Sequence, residues 1–159
     1  MKAGAWMNIL RLAERYQPET VALRRALHAR PEAAPEEQLE TLAFIERELD
    51  LLGIDYERIP GGGILGSIEC GKPGQTLLMR SDVDALRIQE SARNLKGERT
   101  CISEKEGLMH ACGHDAHMAM LLTSARILKE HAHELAGRIL LLFEEGEEGG
   151  GNKIGRAHV

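Results

Sequence analysis

Aromatic residues are nearly missing from this sequence, with one Trp, two Tyr and two Phe among 159 residues. No dense Lys/Arg cluster is interleaved with aromatics either, and 20 basic against 25 acidic residues leave a net charge of -5. Such a surface excludes nucleic acid as a partner. Long apolar runs are absent, and the opening MKAGAWMNILRLAERYQ acquires Arg11, Glu14 and Arg15 before a signal-peptide core can form. Neither a membrane partner nor secretion is expected. Cysteine is sparse: Cys70, Cys101 and Cys112 cannot all pair within the chain, and none belongs to a CxxC, so a reducing, cytoplasmic setting is expected. What the chain has is 43% hydrophobic and 28% charged residues, enough to bury a core. By its size alone it reads as one domain.

Patterning predicts alternating helices and strands. Pro18 with Glu19 opens a helix to about Ala29, and Pro31 stops it. A second helix runs from about Pro35 through Leu39, Leu42, Ile45, Leu49 and Leu52, with Gly53 as its C-terminal cap. Three strands follow, Ile54 to Ile59, Ile64 to Glu69 and Gln75 to Val83; Gly71-Lys72-Pro73-Gly74 suggests that the last two form a hairpin. Residues 85–109 are polar and irregular. Met118, Leu121, Leu122, Ala125 and Leu128 mark a third long helix. Arg138 to Phe143 is apolar enough for a strand buried on both faces. The class is α/β, with no internal repeat and no interior linker.

Three clusters could carry chemistry. In MHACGHDAH, Met109 to His117, an extended backbone would aim Cys112 and His114 the same way, with Gly113 permitting close approach to one ion. By itself the cluster equally fits a buried thiol, surface imidazoles and a helix-capping Asp115. Glu144, Glu145, Glu147 and Glu148 follow the apolar strand, where open α/β sheets bind ligands. One acid could hold a metal while its neighbour takes a proton from water that a Lewis acid has brought to a pKa of about 7. By itself this run fits a solvated acidic loop. Asp82 and Asp84 in RSDVDAL share a face at a strand end, as ligands, as acids that orient a histidine, or as turn formers. The coincidence of all three favours a hydrolytic metal site.

With RRALHARPE earlier in the chain, these strings resemble, in order, motifs of the metal-dependent N-acyl-amino-acid amidohydrolases, the group of hippurate hydrolases and auxin-conjugate hydrolases, over residues from about 24 to 153. The resemblance implies a three-layer α/β sandwich around a central mixed sheet, similar to the zinc exopeptidases, cut after the Glu-Glu loop. It implies Cys112, His114 and Glu148 as metal ligands, Glu147 as general base, and Asp84 as an acid behind the ligands. One or two divalent ions, zinc or manganese, are the expected cofactor, and an N-acyl-amino acid or short peptide the expected substrate. The complete protein is compatible with a homo-oligomer. Two departures stand out. Glu144-Glu145-Gly146 replaces Gln-Pro-Ala and crowds Glu147 with like charge, and Arg87 replaces a proline.

Family members are considerably longer. Residues 1–153 are therefore expected to be the N-terminal part of a catalytic domain, without the inserted smaller domain or the later ligand histidines, and inactive alone. His131 and His133 read as solvated. IGRAHV, Ile154 to Val159, matches translated sequencing-adapter codons and is expected to be a non-native tail. Competing readings are a dipeptidase or aminopeptidase of the same chemistry, a cysteine hydrolase built on Cys112, and a non-catalytic relative. Adjacent thiol and imidazole spacing argues against the cysteine hydrolase.

Overall fold

A computed structural model describes residues 9–149; the expected tail lies outside them. Four strands form one mixed sheet in the order β1-β2-β6-β3. Strand β1 (Asp55–Ile59) and strand β2 (Gly63–Glu69) make an antiparallel hairpin, and β3 is Lys72–Asp82. The expected β2–β3 hairpin does not form. Strand β6 (Ala136–Glu144) lies between them, antiparallel to β2 and parallel to β3. The reason is burial. Ile139, Leu141, Leu142 and Phe143 are all buried, and an interior strand hides such a run better than an edge would. A close approach helps: Gly137 has φ 92°, and a Cβ there would sit 1.9 Å from the Gln75 carbonyl oxygen. Only glycine allows β3 and β6 to meet at that point.

The helices cover one face of this sheet. Helix α1 spans Ile9–Ala29 and includes Pro18, so it begins earlier than proline chemistry suggests. Pro18 removes one backbone donor. Tertiary contacts offset that loss: Tyr16, Leu23 and Leu27 are buried, and the Tyr16 hydroxyl donates to Glu130 at 2.6 Å. Helix α2, Leu39–Leu51, starts later than its periodicity suggests, because Glu32 accepts the N–H groups of Glu40 and Thr41 at 3.2 and 2.7 Å. Its end is as patterned, with Gly53 at φ 61°. Helix α3, His114–Glu130, crosses from β3 toward β6 and lets the two run parallel.

Residues 83–113 are mostly irregular and contain the two-residue strands β4 (Arg93–Asn94) and β5 (Gly97–Glu98). Single bridges fasten this segment, joining Ala33 to Ala85 and Leu86 to Met109. The core joins Leu42, Ile45 and Leu49 of α2 to Ile64, Ile68, Leu141 and Phe143 of the sheet and to Met118, Leu122 and Ala125 of α3. The expected mixed α/β class is what forms, and the described residues supply two of the three layers. On the outer side of β3, Leu77 and Leu78 are 56% and 52% exposed, and no described strand pairs with that edge. Phe143 is fully buried at the centre of the core. Phe143→Ala should cost about 3–5 kcal/mol, read as a lower urea midpoint with an unchanged slope.

Candidate metal centre

Because β3 and β6 run parallel, both carboxyl ends emerge on the same side of the sheet, beside the amino end of α3. Open α/β sheets place their ligands there. Asp82 closes β3, Glu144 closes β6, and His114 opens α3. This brings together one thiol, one imidazole and one carboxylate. The ligand atoms of Cys112, His114 and Glu148 lie within 4.8 Å of one another. An overlapping group is Asp82, His114 and His117, in which His117 is the member the sequence did not suggest as a ligand.

The route to this geometry differs from the sequence reading in two respects. The 112–114 segment is not extended: Gly113 precedes the helix with φ 88° and ψ 18°. Nothing lies within 4 Å of where its Cβ would be, so glycine is required by backbone conformation rather than by space. Nor does Asp115 cap the helix. Its fully buried carboxylate reaches Arg24 and His28, each at 2.7 Å.

Asp84 organises the donors. It is fully buried; its Oδ2 accepts the Glu148 N–H at 2.8 Å, and its backbone carbonyl accepts from His114 Nδ1 at 2.8 Å. A carbonyl only accepts, so Nδ1 carries a proton, and in the neutral ring Nε2 is the free lone pair. That is the tautomer a metal-binding histidine needs. Burial acts against charging His114, but the hydrogen bonds to Asp84 and the nearby Asp82 charge outweigh it and raise its pKa to about 8. For Asp84, burial works to raise the pKa, and bonds from His114 and the Glu148 N–H win, lowering it. The Cys112 thiol is raised by its hydrogen bond to Glu148, by burial and by the surrounding carboxylates. A thiol crowded by carboxylates is a poor nucleophile without a cation beside it, which counts against the cysteine-hydrolase reading.

The two glutamates that depart from the motif turn away from Glu147. Glu144 pairs with Arg80, which also holds Asp82, and Glu145 accepts the Gln38 N–H at 3.2 Å. Arg87, the other departure, pairs with Glu36. Glu147 is exposed on the turn after Gly146, and its charge is felt at both Cys112 and Arg80. His133 is 77% exposed and His131 is held by Glu134 at 3.0 Å, far from this constellation in role, as their polar setting suggests.

A donor set of thiolate, imidazole and carboxylate fits a borderline-soft divalent cation such as zinc. The fold and this set of strand-end donors together define a metallohydrolase scaffold. The chain belongs to peptidase family M20/M25/M40, whose sequence profile matches residues 78–159. It is 46% identical over 148 residues to an IAA-amino acid hydrolase of Arabidopsis thaliana (ILR1-like 6), covering 90% of this chain and 30% of that protein. It is 34% identical over 156 residues to the N-acyl-L-amino acid amidohydrolase of Geobacillus stearothermophilus, covering 96% and 40%. It is also 37% identical over 133 residues to thermostable carboxypeptidase 2 of Saccharolobus solfataricus, covering 82% and 32%. Among solved structures, the Bacillus subtilis YXEP protein, described as a dinuclear metal binding peptidase of the M20 family, superposes with a TM-score of 0.72 at 32% identity, covering 82% of this chain and 35% of that one. The chain thus spans about a third of the length of these relatives. No helix among the described residues is long and apolar enough to cross a membrane.

Two buried histidines set opposite pH limits on the metal-free chain. Burial holds His110 down at about 4, so the unfolded chain takes up a proton there between about pH 6.5 and 4 while the folded chain does not. Stability is therefore lost on acidification across that window. His114, raised to about 8, stabilises the fold below about pH 6.5 and loses that contribution as pH climbs through 8. Urea midpoints of the metal-free chain should peak near pH 6.5 and fall on both sides.

Proposed function

We propose that this chain is the metal-binding N-terminal portion, residues 1–153, of an amidohydrolase that cleaves the amide bond of N-acyl-amino acids. The observation that carries the reading is the convergence of Cys112, His114 and Glu148 within 4.8 Å beside a buried residue, Asp84, whose backbone carbonyl accepts from His114 and whose carboxylate accepts from the Glu148 N–H. Support comes from relatives named for hydrolysing amino-acid conjugates and N-acyl-amino acids. In this reading Cys112, His114 and Glu148 hold a divalent cation through Sγ, Nε2 and a carboxylate oxygen. The cation, zinc by the thiolate and manganese as the alternative, supplies Lewis acidity to the amide carbonyl and to the attacking water.

The remaining work falls to the chain's own residues. Glu147 takes the proton from the attacking water and gives it to the departing amine nitrogen, which its exposed place on the Gly146 turn permits. Asp84 keeps the His114 proton on Nδ1 and pins the Glu148 backbone, so that two donors from separate elements hold one geometry. Arg80 restrains Asp82 and Glu144 at the rim, keeping two further carboxylates from swinging onto Glu147. The carboxypeptidase relative favours one variant of this reading, in which the acyl group is itself a peptide; the proton route is unchanged.

In a full-length enzyme that contains this chain, Glu147→Gln should lower kcat on N-acyl-amino acids by about 10²–10⁴ fold while bound metal stays stoichiometric. Cys112→Ser should instead lower metal content. Turnover that survives both substitutions and chelation would refute the assignment. The 159-residue chain should bind metal without turnover.

A further inference from the structure

His28 is 1% exposed, and each of its ring nitrogens lies against a buried carboxylate. Nδ1 is 2.7 Å from Asp115 and Nε2 is 3.0 Å from Glu90. The cluster continues outward on both sides. Arg24 reaches Asp115 at 2.7 Å, and Arg99 reaches Glu90 at 3.2 Å while the Ser103 N–H donates to Glu90 at 2.7 Å. Three segments are therefore joined through a single imidazole: α1, the irregular 83–113 connection, and the first turn of α3. None of these groups enters the proton route of the amide cleavage.

Burying two carboxylates costs several kcal/mol each unless they are paired, so this cluster needs a reason beyond packing. Its place supplies one. Asp115 is the residue after His114, on a helix that opens from a left-handed Gly113 with no side-chain cap. Without a capping side chain, the first turn of α3 is held from the side by Arg24 and His28. On the opposite flank the backbone carbonyl of Asp84 accepts a hydrogen bond from His114 Nδ1. The first turn of α3 is thus held on two sides, at the His114 ring by the Asp84 backbone carbonyl and at Asp115 by His28 and Arg24 of α1.

We infer that His28 is a positioning residue for the metal donors, fixing through Asp115 the first turn of α3 and hence the direction of the His114 ring. The inference rests on the metal-site reading for its purpose but not for its geometry. Partners behind metal ligands change affinity by about 10–100 fold when removed. The same scale applies here.

The test uses the 159-residue chain and two readouts. One is solvent exchange of the His114 Nδ1 proton, followed by NMR in metal-free protein; the other is Co²⁺ affinity with the thiolate-to-cobalt absorption band. His28→Leu should speed the exchange several-fold, weaken Co²⁺ binding about tenfold and alter the band. Glu90→Gln keeps shape and should give smaller changes of the same sign, covering the case in which His28→Leu fails to fold. His28→Gln should partly restore both readouts. Leu49→Ala, in the α2 core, is the control for lost stability alone. If the His28 and Glu90 variants lose stability as Leu49→Ala does but match its exchange rate and Co²⁺ affinity, the inference is overturned. Absence of cobalt binding by the parent chain overturns the metal reading instead, and the exchange comparison still decides the role of His28.

Discussion

A residue sealed from water must satisfy both its backbone and its side chain, and Asp84 does so on two elements: its carbonyl accepts from His114 at the start of α3 and its carboxylate from the Glu148 N–H after β6. Its position after β3 places it between the start of α3 and the turn after β6, and its oxygens draw both toward it. Remove that demand and the thiol, imidazole and glutamate have no common point of reference. The charge of Asp84 is stabilised by the Glu148 N–H and by the His114 ring 3.5 Å from its other oxygen. Electrostatic satisfaction of Asp84 and the geometry of the candidate site therefore rest on the same residue.

The parallel pairing of β3 with β6 makes this possible. A hairpin between β2 and β3 would leave β6 at an edge and send the carboxyl ends of β3 and β6 to unrelated places. Insertion of β6 instead forces a crossover, and α3 fills it with its positive end toward the carboxylates. The apolar run Ile139 to Phe143 thus acts at a distance, since its need for burial decides where two acidic turns meet.

Much of this was legible in the sequence, for identifiable reasons. Periodicity located α2 and α3, and the strand positions followed from apolar runs and glycine turns. Strand order was not legible, because Gly71 to Gly74 has the composition of a hairpin turn whatever lies opposite; only the burial of β6 decides the matter. Helix α1 was cut short in the reading because proline chemistry is local, whereas the Tyr16 bond to Glu130 spans 114 residues. The donors Cys112, His114 and Glu148 were read from their motifs and the structure brings them together. His28 and Glu90 escaped notice as functional because their partners are 87 and 62 residues away from His28. The string RRALHARPE contained the clue without a role for its histidine.

The outer edge of β3 governs how this molecule behaves in a tube. Its backbone groups face outward beside Leu77 and Leu78, and the stretch Gln-Thr-Leu-Leu-Met carries no charge before Arg80. Unguarded strands of this kind recruit other strands. Self-association through this edge should accordingly rise with concentration, and Leu77→Lys places a gatekeeper charge there, on a residue outside the candidate ligand set of Cys112, His114 and Glu148.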